Sequence, residues 1–282
     1  MAGLSTGKRI LNKALFGFGL EVRRIAPSSN SEGATFSYAN EDAIIQGLLN
    51  KLPIRNKFAV DIGAGDGEYM SNSLKLFQAG WQGVAVEWNG KQFSKLAFSY
   101  VGLPSATLVR ARVTPDNVLH LLAGCDTPKD FGYFGLDIDS YDHFVLAKVL
   151  SAHRPSLICT EINEKIPPPL KFTVKWQSDG AWGTNHFYGQ SLSMLESLAT
   201  QYNYDLVGLE YNNAFLVPHE INPVPTLSAA EAFRKGFFER PDRAQKFPWN
   251  SSMECIYTMS AGESEAFLRE KFQGLEGQYI LE

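Results

Sequence analysis

The chain has 282 residues, 44% of them apolar and 20% charged, which is the balance of a globular protein and excludes a disordered or collagen-like one. Lys and Arg number 26 against 30 Asp and Glu, a net charge of -4, so nucleic acid is not expected as a partner. Cys125, Cys159 and Cys255 are too few and too scattered for a disulfide framework or a CxxC metal pair, which points to a reducing, cytoplasmic setting, and no apolar run reaches the roughly 18 residues of a membrane span.

The apolar stretch 14–20 follows Lys8 and Arg9 but is broken by Gly17 and Gly19. It reads as an amphipathic helix from Thr6 to Phe16 rather than as a signal peptide. A polar loop over 26–40 leads to a helix over 41–52. Strands are then predicted at 58–62, 84–88, 106–110, 131–138 and 156–160. Helices are predicted between them at 69–79, 92–100, 115–122 and 144–150. This alternation argues for a mostly parallel sheet with helices on both faces. Residues 204–211 and 213–218 read as a hairpin turned by Asn212 and Asn213, which adds one antiparallel strand. The expected organisation is an N-terminal helical extension over 1–50, a central α/β domain over 51–218, and a C-terminal helical extension over 219–282 with helices near 227–238 and 262–273. The stretch 164–190 carries Pro167, Pro168 and Pro169 and is too long for a plain connection, so it reads as a lid or substrate loop.

The first strand runs into Asp61, Gly63, Gly65, Asp66 and Gly67. Alternating glycines let a backbone pass close to a ligand and turn into a helix. The carboxylates beside them disfavour a pyrophosphate and suit a cationic, amine-bearing ligand. Glu87 ends the second strand about 20 residues on, where an acid accepts both hydroxyls of a ribose.

The segment Val60–Gly67 resembles the first motif of the Rossmann-like S-adenosylmethionine-dependent methyltransferases, and Glu87 matches their second motif. The resemblance covers residues 50–218. It implies a seven-stranded, mostly parallel α/β sheet with one antiparallel strand, and S-adenosylmethionine as cofactor over the glycine loop. Asp61 is then expected near the cofactor's amine, with Glu87 and Trp88 along it. Thr114, Asp116 and Asn117 stand where the family often contacts the adenine.

Asp137 and Asp139 close the fourth strand, and Glu161 and Asn163 the fifth. The carboxyl ends of neighbouring parallel strands line one crevice, and acids converging there call for a hard divalent cation, Mg²⁺ foremost. The pattern resembles the metal-dependent O-methyltransferases of catechols, sugars and antibiotics. That resemblance implies Asp137 or Asp139 as one ligand, Glu161 as another and Asn163 as a third candidate, although Ile162 interrupts the usual adjacent pair.

A hydroxyl acceptor must also lose its proton. His143, at the start of the fourth strand's helix, and His186, in the long loop, are the two candidate bases. In that loop Trp176, Trp182, Phe187 and Tyr188 are able to stack on a sugar or ring, and Asn185, His186 and Gln190 to read hydroxyls. Packing of the insertion is the alternative. Asn250-Ser251-Ser252 matches a glycosylation acceptor by chance.

The expected function is O-methylation of a small polar metabolite or sugar, with Mg²⁺ assisting. The alternatives are metal-free N- or carboxyl-methylation in the same fold and a non-catalytic cofactor-binding protein, with a nicotinamide dehydrogenase a distant third. The expected partner is a small-molecule acceptor, and a homo-oligomer is compatible with the sequence.

Overall fold

Residues 36–178 and 186–282 are described by the structure, a computed structural model. The helix expected from Thr6 to Phe16, and loop residues Trp182 and Asn185, lie outside the described residues. After helix α1 (Glu41–Leu49), strands β1 (Asn56–Ile62), β2 (Gln82–Val86), β3 (Ala106–Val109), β4 (Phe131–Leu136) and β5 (Leu157–Glu161) alternate with helices α2 (Leu74–Gln78), α3 (Gly90–Ser99), α4 (Val118–Gly124) and α5 (Asp142–Leu150). A short strand β6 (Phe172–Val174), helix α6 (Leu192–Gln201) and the hairpin β7 (Tyr204–Glu210) and β8 (Asn213–Pro218) follow. The remaining segments are α7 (Ala229–Phe233), a π-helical continuation (Arg234–Phe238), α8 (Arg243–Lys246), a 3-10 stretch (Pro248–Thr258), α9 (Ala261–Lys271) and β9 (Tyr279–Leu281).

The main sheet has seven strands in the order β3-β2-β1-β4-β5-β8-β7, and β8 alone runs against the rest. This is the sheet that the methyltransferase resemblance implied. Its strands are apolar on both sides because both faces are covered. Val60, Val84 and Phe134 point to the face covered by α4, α5 and α6, while Ala59, Ala85 and Tyr133 point to the face covered by α1, α2 and α3.

Four local expectations are corrected. The helix expected over 69–79 is confined to α2. Ser71 Oγ accepts from Leu74 N, Ser73 Oγ donates to Asp61, and Met70 takes a left-handed backbone, so the preceding residues are held in turns. The hairpin turns on Tyr211 and Asn212, with the left-handed conformation at Tyr211 rather than on an asparagine. Helix α6 was not foreseen, although Leu192, Leu195, Leu198 and Ala199 carry its apolar period and Ser191 caps it. The C-terminal extension is not wholly helical: β9 pairs antiparallel with β6, so it closes a two-stranded sheet with the long loop.

The π-helical turn sits tightly on β7. Tyr211 N donates to Gly236 O at 2.9 Å, and a Cβ on Gly236 would fall 2.2 Å from Leu209 O. Gly236→Ala is therefore expected to destabilise the fold by about 1–3 kcal/mol, as overpacking does. The check is a lower urea midpoint at unchanged slope.

Candidate functional site

The register of the sheet brings three loops together. Asp61 pairs with Gly135 and Ile62 with Leu136, while Thr160 pairs with Leu136 on the other side of β4. The next residues along, Gly63, Asp137 and Glu161, therefore leave the sheet side by side. Asp137 N donates to Ile62 O at 3.0 Å, and Gly63 N to Val86 O at 3.0 Å. Gly63 has a φ of 91°, and a Cβ on it would lie 1.6 Å from Asp137 O. No other residue fits there.

Gly65 and Gly67 also take left-handed conformations, with φ of 57° and 78°. A Cβ on Gly67 would meet Leu96 and Tyr100, so that glycine serves helix packing, whereas nothing crowds Gly65. Glu87 is buried; its carboxylate accepts from Gly65 N at 3.0 Å and Asn89 N at 2.6 Å, which fastens the glycine loop to the end of β2. Trp88 beside it is exposed. Asp61 is buried at the floor and accepts from Ser73 Oγ. Burial pushes its carboxyl up to about 6, against the Ser73 hydrogen bond, and the charge of Glu87 pushes the same way. Asp116 lies off this floor: its carboxylate accepts from Trp176 Nε1 at 3.2 Å. Asn117 and Thr114 bond each other and close their own turn.

One oxygen each of Asp137, Asp139 and Glu161 lies within 4.8 Å of the others. Burial, and then the neighbouring carboxylates Asp137 and Asp139, push Glu161 well above the usual range. Asp137 has a solvent-facing surface, yet protein packed around its carboxyl pushes it well above its usual value too, with Asp139 adding repulsion. Asp139 is raised by burial, partly offset by Lys165, and its backbone is left-handed at φ 55°. Asp142 holds this turn by accepting from Ile138 N at 2.9 Å and Ser140 N at 3.0 Å, and burial pushes it to about 6. Asn163 is engaged by the loop instead. It is fully buried, its amide donates to His186 O at 2.9 Å and Tyr188 O at 3.0 Å, and its oxygen accepts from Lys165 N, so the side chain ties down the loop.

The two histidines part company. His143 is half-buried with Nδ1 3.1 Å from Gln190 Oε1, and burial holds it below the ordinary histidine value. His186 Nε2 lies 2.9 Å from Ser252 Oγ; burial lowers it, and Lys165 and Lys271 lower it further. The described loop aromatics are engaged in packing. Phe187 sits among Phe172, Phe272 and Tyr279, and Tyr188 is buried with its hydroxyl 2.9 Å from Glu164 Oε2. Trp176 packs edge-on to Tyr141, ring centroids 4.4 Å apart. Asn250 is buried and donates to Glu164 at 2.7 Å, so it is no glycan acceptor.

Two groups escaped the sequence reading. Asn72, Cys159 and Asn213 join Asp61, Gly63 and Asp137 around a cavity of about 40 Å³. Asn72 Oδ1 is buried without a partner, while its amide reaches Cys159 Sγ at 3.8 Å. Glu164, Lys165 and Tyr188 form a buried network, with Lys165 Nζ 3.0 Å from Glu164 and 2.6 Å from the Tyr188 hydroxyl. No spacing rule marks either group: the first comes from separate strands and loops, and the second joins the two ends of the long loop, 23 residues apart.

No protein-family model and no curated protein matches the chain. Among similar solved structures is the N-terminal domain of EvdMO1 in the presence of SAH and D-fucose, with 10% identity over 74% of this chain and 95% of that one and a TM-score of 0.44. DesVI from Streptomyces venezuelae has 13% identity over 74% and 98%, TM-score 0.39. A SAM-dependent methyltransferase from Aquifex aeolicus has 9% identity over 65% and 94%, TM-score 0.37. No helix among the described residues is long and apolar enough to cross a membrane.

The Asp61 carboxyl gives a pH signature. Its folded value, about 6, exceeds its unfolded value, 3.8. The folded state therefore binds the extra proton between these values, and stability contributed by Asp61 is lost as pH rises through 6. Asp61→Asn is expected to make the ligand-free protein more stable at pH 8 by up to about 3 kcal/mol and to leave it little changed near pH 4. Urea titrations at both pH values check this; equal midpoints for the variant and the wild type at pH 8 would refute it.

Proposed function

We propose that the chain is a soluble, cytoplasmic S-adenosylmethionine-dependent methyltransferase that methylates an oxygen of a small polar metabolite or sugar, assisted by a divalent cation, with Mg²⁺ the first candidate. One observation carries the reading: the cavity that holds Asp61 and Gly63 of the glycine loop also holds Asp137 of the carboxylate group. A methyl donor over the glycines and an oxygen held at the carboxylates would thus be neighbours.

The residues fit both the cofactor and the cation. Asp61 and the unpartnered Asn72 Oδ1 are two acceptors in a small cavity, which suits an ammonium. Glu87, released from Gly65 N, is the acceptor for ribose hydroxyls. Asp137, Asp139 and Glu161 are hard oxygen donors whose mutual repulsion a dication relieves. When bound, the cofactor supplies an electrophilic methyl, and the cation lowers the pKa of a hydroxyl. The chain's own work is to orient the acceptor oxygen in line with that methyl, to exclude water with the loop over 164–190, and to take the hydroxyl proton on His143. His143 is favoured over His186 because it starts the helix that follows the β4 carboxylates and is held by a buried partner.

S-adenosylhomocysteine is expected to bind with micromolar or tighter affinity in calorimetry. Glu87→Ala should weaken it by about 1.5–3 kcal/mol, the worth of a charge-assisted hydrogen bond. An unchanged affinity would remove Glu87 from the cofactor site.

In transfer of a labelled methyl group to a panel of sugars and catechols, Asp137→Asn and Glu161→Gln are expected to abolish stimulation by Mg²⁺ while leaving cofactor binding intact. His143→Ala should lower the rate about 10²–10⁴-fold. Full activity after chelation, unaltered by either carboxylate change, would exclude the cation.

A further inference from the structure

Gln190 is fully buried and its Nε2 has no hydrogen-bond partner, while its Oε1 lies 3.1 Å from His143 Nδ1. An orphaned buried donor is costly, and a methionine or leucine at this place would not incur that cost. The backbone on either side is pinned. Gln190 O accepts from Asn163 N at 2.7 Å, Gly189 N donates to Ser140 O at 2.8 Å, and Ser191 N donates to Phe172 O at 2.8 Å. Gln190 also bridges to Thr173. These bonds anchor the end of the long loop to the segments that follow β4 and β5, so a fixed backbone presents the amide to His143. The Phe144 ring stands edge-on to the imidazole, centroids 5.2 Å apart.

A neutral imidazole carries one proton, and the partner of one nitrogen decides which. We infer that Gln190 is a positioning residue: its carbonyl oxygen accepts the Nδ1 proton of His143, which fixes the Nδ1–H tautomer and leaves Nε2 as the nitrogen that receives a proton. This rests on the reading of His143 as the base. An amide suits the task because it fixes the tautomer without adding a negative charge beside a crowded set of carboxylates. The cost of the unpaired Nε2 is then the cost of aiming Oε1 at the ring. With the amide turned over, Nε2 would donate to Nδ1 and the ring proton would move to Nε2, so the two arrangements predict opposite tautomers.

Long-range proton–nitrogen NMR of the histidines in the whole chain reads this directly and needs no acceptor, with His143→Asn used to assign the signals. The wild type is expected to show neutral His143 protonated at Nδ1. Gln190→Glu should keep that tautomer and raise the midpoint of His143 titration by about one unit, as a new adjacent carboxylate does. Gln190→Met should let the Nε2–H form appear. Wild-type His143 protonated at Nε2, or a tautomer unmoved in Gln190→Met, overturns the inference. Should Gln190→Met not fold, an unshifted midpoint in Gln190→Glu overturns it equally. Failure of the base reading would show elsewhere, as undiminished methyl transfer by His143→Ala with these signals still as expected.

Discussion

A Cβ on residue 63 would lie 1.6 Å from the carbonyl oxygen of Asp137, and the site depends on that contact between the ends of β1 and β4. It is possible only with a glycine in a left-handed conformation. Because the two strand ends meet so closely, the loop after β1 and the loop after β4 share one cavity instead of opening separately. The sheet register extends the contact to β5, whose last residue, Glu161, comes level with Asp137. The parallel sheet thus converts three sequence-distant loop starts into one wall.

That geometry carries an electrostatic burden. Asp61, Asp137, Asp139, Asp142 and Glu161 all have carboxyls pushed upward, with burial the first cause in each. The buried ammonium nearby, Lys165, is already engaged by Glu164 and the Tyr188 hydroxyl. The folded chain holds these acids in their ionised form at the expense of stability.

The described parts of the loop over 164–190 are held by residues far along the chain. Asn250 and Tyr257 bond Glu164, Ser252 meets His186, and β9 pairs with β6. Its aromatic residues Phe172 and Phe187 join Phe272 and Tyr279 in a small core of their own. The C-terminal segment therefore acts as the frame of the loop, and through Gln190 that frame reaches His143.

The alternation of apolar strands with helices was plain in the chain, since strand and helix periods are local properties, and so were the glycine loop, Glu87 and the carboxylates at the ends of β4 and β5. Local signals misled where side chains answered to distant partners. Tyr69 to Ser73 look helical until Ser73 turns to Asp61, and Asn163 looks like a ligand until its amide is taken by the loop's carbonyls. Phe187 and Tyr188 look available for a substrate until the C-terminal segment and Glu164 claim them. Asn72, Cys159, Asn213, Lys165 and the pairing of Gln190 with His143 had no signal in spacing at all. Which residues belong to strands, turns and glycine bends follows from neighbours a few positions away. Which polar groups face one another follows from sheet register and from the burial that leaves each of them few partners, and both arise only when the whole chain has closed.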